Sequence, residues 1–126
     1  MERVNVLFAD ETVCLDHARI MELEQLLGAK TAEDVAIRAM EELSARLAHC
    51  ETLFQLGKWK DLRKSARSMI AIGDQIGMTS LSLVSQHVVD TIDAQDTTAI
   101  AATFYRLLRI GDRSLSDYWD QQNLSG

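Results

Sequence analysis

The chain has 126 residues, of which 47% are hydrophobic, only 6% are aromatic and none is proline, and it carries a net charge of −6 with a pI near 4.9. That length makes one domain with a real core, and so few aromatics and turn-formers argue against the all-β classes and for an all-α fold. The acidic balance argues against nucleic acid and against an anionic membrane surface as partners, since both need Lys and Arg to answer phosphates.

No apolar run approaches the ~20 residues of a membrane span. The N-terminus, Met1-Glu2-Arg3-Val4-Asn5, leads into no apolar signal core. Cys14 and Cys50 form no scaffold pattern, so a reduced, cytoplasmic setting is expected.

Taken in order, residues 1–12 hold a short apolar lead, Val4-Asn5-Val6-Leu7-Phe8, read as an arm packed over a bundle. Asp10 or Thr12 is placed to cap a first helix that runs to Leu27, where Gly28 ends it. Its expected inward residues are Val13, Ile20, Leu23 and Leu27. Thr31-Ala32-Glu33-Asp34 resembles a capping box and predicts the start of a long second helix. Val35, Ala39, Leu43, Leu47, Cys50 and Phe54 mark one face of it, and Gly57 stops it. Glu33, Arg38, Glu41, Glu42 and Arg46 form its solvated side.

Trp59 is expected to cover the bundle end where the chain turns into the third helix, residues 61–78. Leu62, Ala66, Met69, Gly73 and Ile76 fall on one narrow stripe of that helix. Its opposite face carries Arg63, Lys64, Arg67, Ile70, Ala71 and Asp74, and Gly77 can take the left-handed conformation that ends a helix. A fourth helix is predicted from about Thr79, with Leu81, Val84, Val88 and Ile92 inward, broken at Asp93–Asp96. Asp96 or Thr97 then caps a last helix with Ile100, Phe104, Leu107 and Leu108 inward, ending near Trp119. Gln121–Gly126 reads as a frayed polar tail. Short connections between long amphipathic helices predict antiparallel neighbours in a single-domain bundle spanning residues 1–126.

The run Ala66-Arg67-Ser68-Met69-Ile70-Ala71, with Gly73 and Gly77 behind it, resembles the signature helix of histidine-containing phosphotransfer (HPt) domains. The family pattern is Ala-His-x-Leu-Lys-Gly, then a small residue and a helix-ending Gly. The frame is kept, but Arg67 stands at the phosphoaccepting histidine, Ile70 at the lysine and Ala71 at the glycine. The layout of residues 15–115 also fits the family. The resemblance implies an up-down antiparallel helical bundle of HPt type, a four-helix core plus an N-terminal helix, in a bacterial two-component phosphorelay. The implied partner is a response-regulator receiver domain or a histidine kinase. No cofactor or metal is implied.

In an HPt domain a solvent-facing imidazole attacks the phosphoryl group carried by a receiver aspartate, which needs an unprotonated ring nitrogen. A guanidinium stays protonated and only donates, so Arg67 cannot do this. Ile70 cannot neutralise the transferred phosphoryl group, while Ala71 adds one methyl and leaves close approach open. The chain therefore reads as a non-enzymatic adaptor or competitor that docks through Arg63, Lys64, Arg67, Ile70, Ala71 and Asp74. Arg67 is either a plain exposed helix residue or a donor to a receiver's clustered carboxylates. Ile70 is either partly buried or a contact anchor.

The alternatives are an active phosphotransferase that uses another histidine, and a helical interaction module unrelated to phosphorelay. His87 lies off the apolar stripe of the fourth helix, with no cation in its local sequence, and reads as a surface histidine, as do His17 and His49. Cys14 with His17 and His49 with Cys50 invite a zinc reading. Adjacent helical residues point about 100° apart, however, and Cys50 falls in the core stripe, so no metal is expected.

Overall fold

A computed structural model of the chain describes residues 13–125, all of whose regular elements are helices. They are α1 (His17–Leu27), α2 (Ala29–Gln55), α3 (Trp59–Ile76), α4 (Thr79–Asp93) and α5 (Thr97–Ser125). The expected arm at Val4–Phe8 and the caps at Asp10 and Thr12 lie outside the described residues. Each helix from α2 onward packs on the one before it, α5 packs back on α2, and α1 lies against α2 and α3. The core sits inside the ring made by α2, α3, α4 and α5.

The α3 stripe is where periodicity located it: Leu62, Ala66, Met69, Gly73 and Ile76 are all buried. Ser65 joins them and accepts a hydrogen bond from the Cys50 thiol at 3.3 Å. On α4, Leu81, Val84, Val88 and Ile92 are buried. Among the predicted inward residues of α5, Ile100, Phe104 and Leu107 are buried and Leu108 is half-buried. Phe104 stacks on Phe54 with centroids 4.4 Å apart, and Trp59 tilts against Phe54 at 5.7 Å. Trp59 thus opens α3 against the bundle end.

Several expectations are corrected. Helix α1 begins only at His17, because the Asp16 carboxylate accepts from the Arg19 N–H at 3.1 Å and caps it. Val13 therefore precedes the helix. Leu27 is exposed, since α1 ends one residue later at Gly28. The Thr31–Asp34 box does not start α2, which begins at Ala29 directly behind Gly28. Val35 and Phe54 are half-buried, and Ala36, Met40 and Leu53 fill the inner face of α2 instead. Helix α5 does not stop near Trp119 but runs on to Ser125, with Tyr118 buried below it. No proline or glycine follows Gly111 before the end of that helix to break it. Asp96, not Thr97, caps α5 through the Ala99 N–H at 3.1 Å.

Two glycines allow the close packing around α3. A Cβ built on Gly73 would meet Ser82 Oγ at 2.6 Å and the Met78 carbonyl at 3.3 Å. Gly77 ends α3 in the left-handed region at φ 83, and a Cβ there would meet the Asp16 carbonyl at 2.8 Å.

Met69→Ala, at a fully buried site, should cost ~2–5 kcal/mol in denaturant unfolding, whereas Lys64→Ala should stay within about 0.5 kcal/mol. Gly73→Ala improves helix propensity by about 1 kcal/mol but overfills the α3–α4 crossing, so a net loss of stability is expected. Adding Ser82→Ala removes the nearest clash and should recover part of that loss. Additive losses would show that Ser82 does not set the crossing.

Candidate functional site

The outward face of α3 is the candidate site. Ser82 Oγ donates to the Ile70 carbonyl at 3.2 Å, and the buried stripe lies inward, so the helix cannot rotate without losing both. Of the six predicted contact residues, Lys64, Arg67, Ala71 and Asp74 are exposed, and Arg67 stands midway along the helix. Ile70 is half-buried and packs against the core.

Arg63 is half-buried and committed. Its Nε donates to Asp93 Oδ1 at 2.6 Å and its Nη2 to Oδ2 at 3.1 Å, a bidentate pair that ties α3 to the end of α4. The two residues are thirty apart in sequence, and only the packing of α4 on α3 brings them together. The hydrogen bonds from Arg63 hold the Asp93 carboxyl below its ordinary value of 3.8. Partial desolvation opposes this, and the charges of Arg63 and Arg67 add to it.

A shallow cavity of about 540 Å³ opens along this face, lined by Lys60, Asp61, Arg63, Lys64, Arg67 and Ser68. Lys60, Asp61 and Ser68 are additions that sequence reasoning missed, although Lys60, Lys64 and Arg67 follow one another at helical spacing. Among the described residues these three cations take part in no ion pair. The site is a positive stripe on an acidic protein, where Lys60, Lys64 and Arg67 offer hydrogen-bond donors.

The histidines lie elsewhere. His17 and His49 are exposed on α1 and α2. His87 has no cation in its local sequence but meets one from another helix: Arg106 Nη1 on α5 lies 3.3 Å from its Nδ1. A guanidinium only donates, so Nδ1 accepts and the ring hydrogen sits on Nε2. The sequence could not show this, because the cation comes from another helix.

Cys50 is fully buried and burial pushes its thiol pKa up, while Cys14 is exposed on the lead into α1. Among the described residues no three His, Cys, Asp or Glu side chains converge in a way that could hold a metal ion. Nor is any helix among them long and apolar enough to cross a membrane. Comparisons of the chain with models of protein families, with curated proteins and with solved structures find no match.

A pH titration checks the Arg63–Asp93 pair. The Asp93 carboxyl is depressed in the folded state, so the pair stabilises the fold above the ordinary carboxylate range and is lost as pH falls through the depressed value. Carboxyl-detected NMR should place Asp93 below 3.8, and Arg63→Gln should return it toward that value. An unchanged Asp93 in that variant would mean the pair does not form in solution.

Proposed function

We propose that the chain is a non-catalytic HPt-type protein of a bacterial two-component phosphorelay. It binds a receiver domain or a histidine kinase through the outward face of α3, as an adaptor or competitor. The fold assigned to it is the up-down antiparallel bundle of that family, with α2–α5 as the four-helix core and α1 as the N-terminal helix. Its main support is the arrangement along α3. Arg67 is exposed mid-helix at the position of the phosphoacceptor, Ala66 and Gly73 are buried behind it, and Gly77 ends the helix in the left-handed region. The order and neighbours of the helices agree with the same layout.

In this role Lys64 and Arg67 supply donors and positive charge to an acidic partner pocket. Arg67 reaches furthest, because a guanidinium pairs with carboxylates through two parallel hydrogen bonds. Ala71 and Asp74 border the contact. Arg63 and Ile70 support it from below, one through Asp93 and the other through the core. No phosphoryl transfer follows docking, because the face carries no imidazole.

A second reading, an active phosphotransferase that uses His87, gains from the Arg106 cation beside the ring. It loses more from the same contact. The guanidinium occupies the nitrogen lone pair that attack requires, and it would have to withdraw before each transfer.

Incubation with phosphorylated receiver domains tests both readings. A receiver should be retained by the unmodified chain, yet no acid-labile label should pass to it. Arg67→His alone should give little transfer, because position 70 still leaves the phosphoryl charge unneutralised. Arg67→His with Ile70→Lys should improve transfer by ~10²-fold or more, the scale on which electrostatic stabilisation of a transferring group acts. Label on the unmodified protein that disappears in His87→Gln would establish the second reading. Failure of every receiver and kinase to bind would remove the phosphorelay role altogether.

A further inference from the structure

The positive stripe does not end at Lys60. A second cavity, of about 440 Å³, opens at the bundle end beside it, and the two share Lys60 and Arg63. The second cavity is apolar where the first is charged. Ile100 and Ile92, 1% and 9% exposed, lie at its base, and half-buried Trp59 also lines it. Gln95 and Thr97, both exposed, supply its polar edge. Trp59 is braced by Phe54, which is itself stacked on Phe104, so this side of the cavity is preformed rather than collapsed.

Arg63 stands between the two cavities. The Nε–Nη2 edge of its guanidinium is held by Asp93, so its charge is answered, and its methylenes serve as a dividing wall. The charge left for a ligand is that of Lys60, Lys64 and Arg67, spread over about 10 Å of helix at 1.5 Å per residue. We infer that the two cavities form one amphipathic site for an acidic segment of a partner protein, which inserts an apolar side chain beside Trp59 and lays its carboxylates along Lys60, Lys64 and Arg67.

Charge complementarity selects this occupant. The stripe is locally cationic on a chain of net charge −6, so it attracts a small acidic segment while the whole molecule is repelled by an anionic bilayer or a polyphosphate. A cavity of about 440 Å³ is ample for one large apolar side chain. This subsite goes beyond the phosphorelay role, and it stands whether or not the partner is a receiver.

Trp59 is its own reporter once Trp119→Phe removes the only other tryptophan. The probe is a short synthetic peptide with one Phe flanked by Asp residues, titrated against the full chain. Trp59 emission should change saturably, and replacing the peptide's Phe by Ala should weaken binding about tenfold or more. Added salt should weaken both peptides. Lys60→Glu with Lys64→Glu should abolish binding, while Thr97→Phe, which narrows only the apolar cavity, should reduce the Phe peptide to the affinity of the Ala peptide. Circular dichroism verifies that each variant folds.

Equal binding of the Phe and Ala peptides would overturn the apolar subsite, and so would the absence of any Trp59 response. A Trp59 response to phosphatidylglycerol vesicles but not to peptide would overturn the choice of a protein segment, and a change with protein concentration alone would point to a second copy of the chain. Peptide binding without receiver binding would remove the phosphorelay role and keep this site. Receiver binding without peptide binding would do the reverse.

Discussion

The close crossing of α4 over α3 at Gly73 determines which side of α3 meets solvent. The missing Cβ lets Ser82 approach until its hydroxyl donates to the Ile70 carbonyl, and the Met78 carbonyl follows it in. The same turn serves α1. The Asp16 N–H donates to the Gly77 carbonyl at 2.7 Å, Arg19 Nε to the Gln75 carbonyl at 3.0 Å, and the Thr79 hydroxyl to the Cys14 carbonyl at 2.9 Å. The Gln75 and Gly77 carbonyls at the end of α3 are thereby satisfied by Arg19 of α1 and by Asp16 just before it. At its other end α3 is fixed by Trp59 against Phe54 and by Arg63 against Asp93. With both ends held, Arg67 has a defined outward position.

The first turns of α3 carry an electrostatic cost for the fold itself. The start of a helix carries partial positive charge, and cations in its first turns are disfavoured. The opening turns of α3 nevertheless hold Lys60, Arg63 and Lys64 against a single acid, Asp61. Arg63 is offset by Asp93, whereas Lys60, Lys64 and Arg67 have no such partner among the described residues. These cations add little to the folded state and gain most from a negative ligand, which would be attracted by the side chains and by the helix dipole together.

The parts of the structure that were legible in the sequence are those governed by helical periodicity alone. Every member of the α3 stripe is buried because apolar and charged residues divide that helix into two clean faces. The start of α1 was misplaced because Val13–Asp16 is held by hydrogen bonds to the distant α3–α4 turn, which leaves no local signal. The Thr31–Asp34 cap pattern was overridden because Gly28, at φ 82, passes the chain from α1 straight into α2. At the candidate site the exposed residues were readable, but the commitments of two others were not. Arg63 meets Asp93 and His87 meets Arg106 only across helix–helix contacts, and no spacing within one helix encodes such a pair.

Ile70 bears on how the face came to lack chemistry. Under the proposed reading it occupies the position of a phosphoryl-neutralising lysine, yet here it is half-buried and packed against the core. A lysine at this site could keep its ammonium in solvent only by laying its stem along the same apolar surface. A β-branched apolar residue covers that surface without a desolvated charge. Under that reading an isoleucine in place of the lysine withdraws a neutralising cation and adds burial at the same point. Arg67 shows the complementary logic on the exposed side, where losing the imidazole costs the fold nothing and a guanidinium keeps positive charge, reach and donors. Under the proposed reading, position 70 is accounted for by packing and position 67 by binding, which is the division such a reading expects of this face.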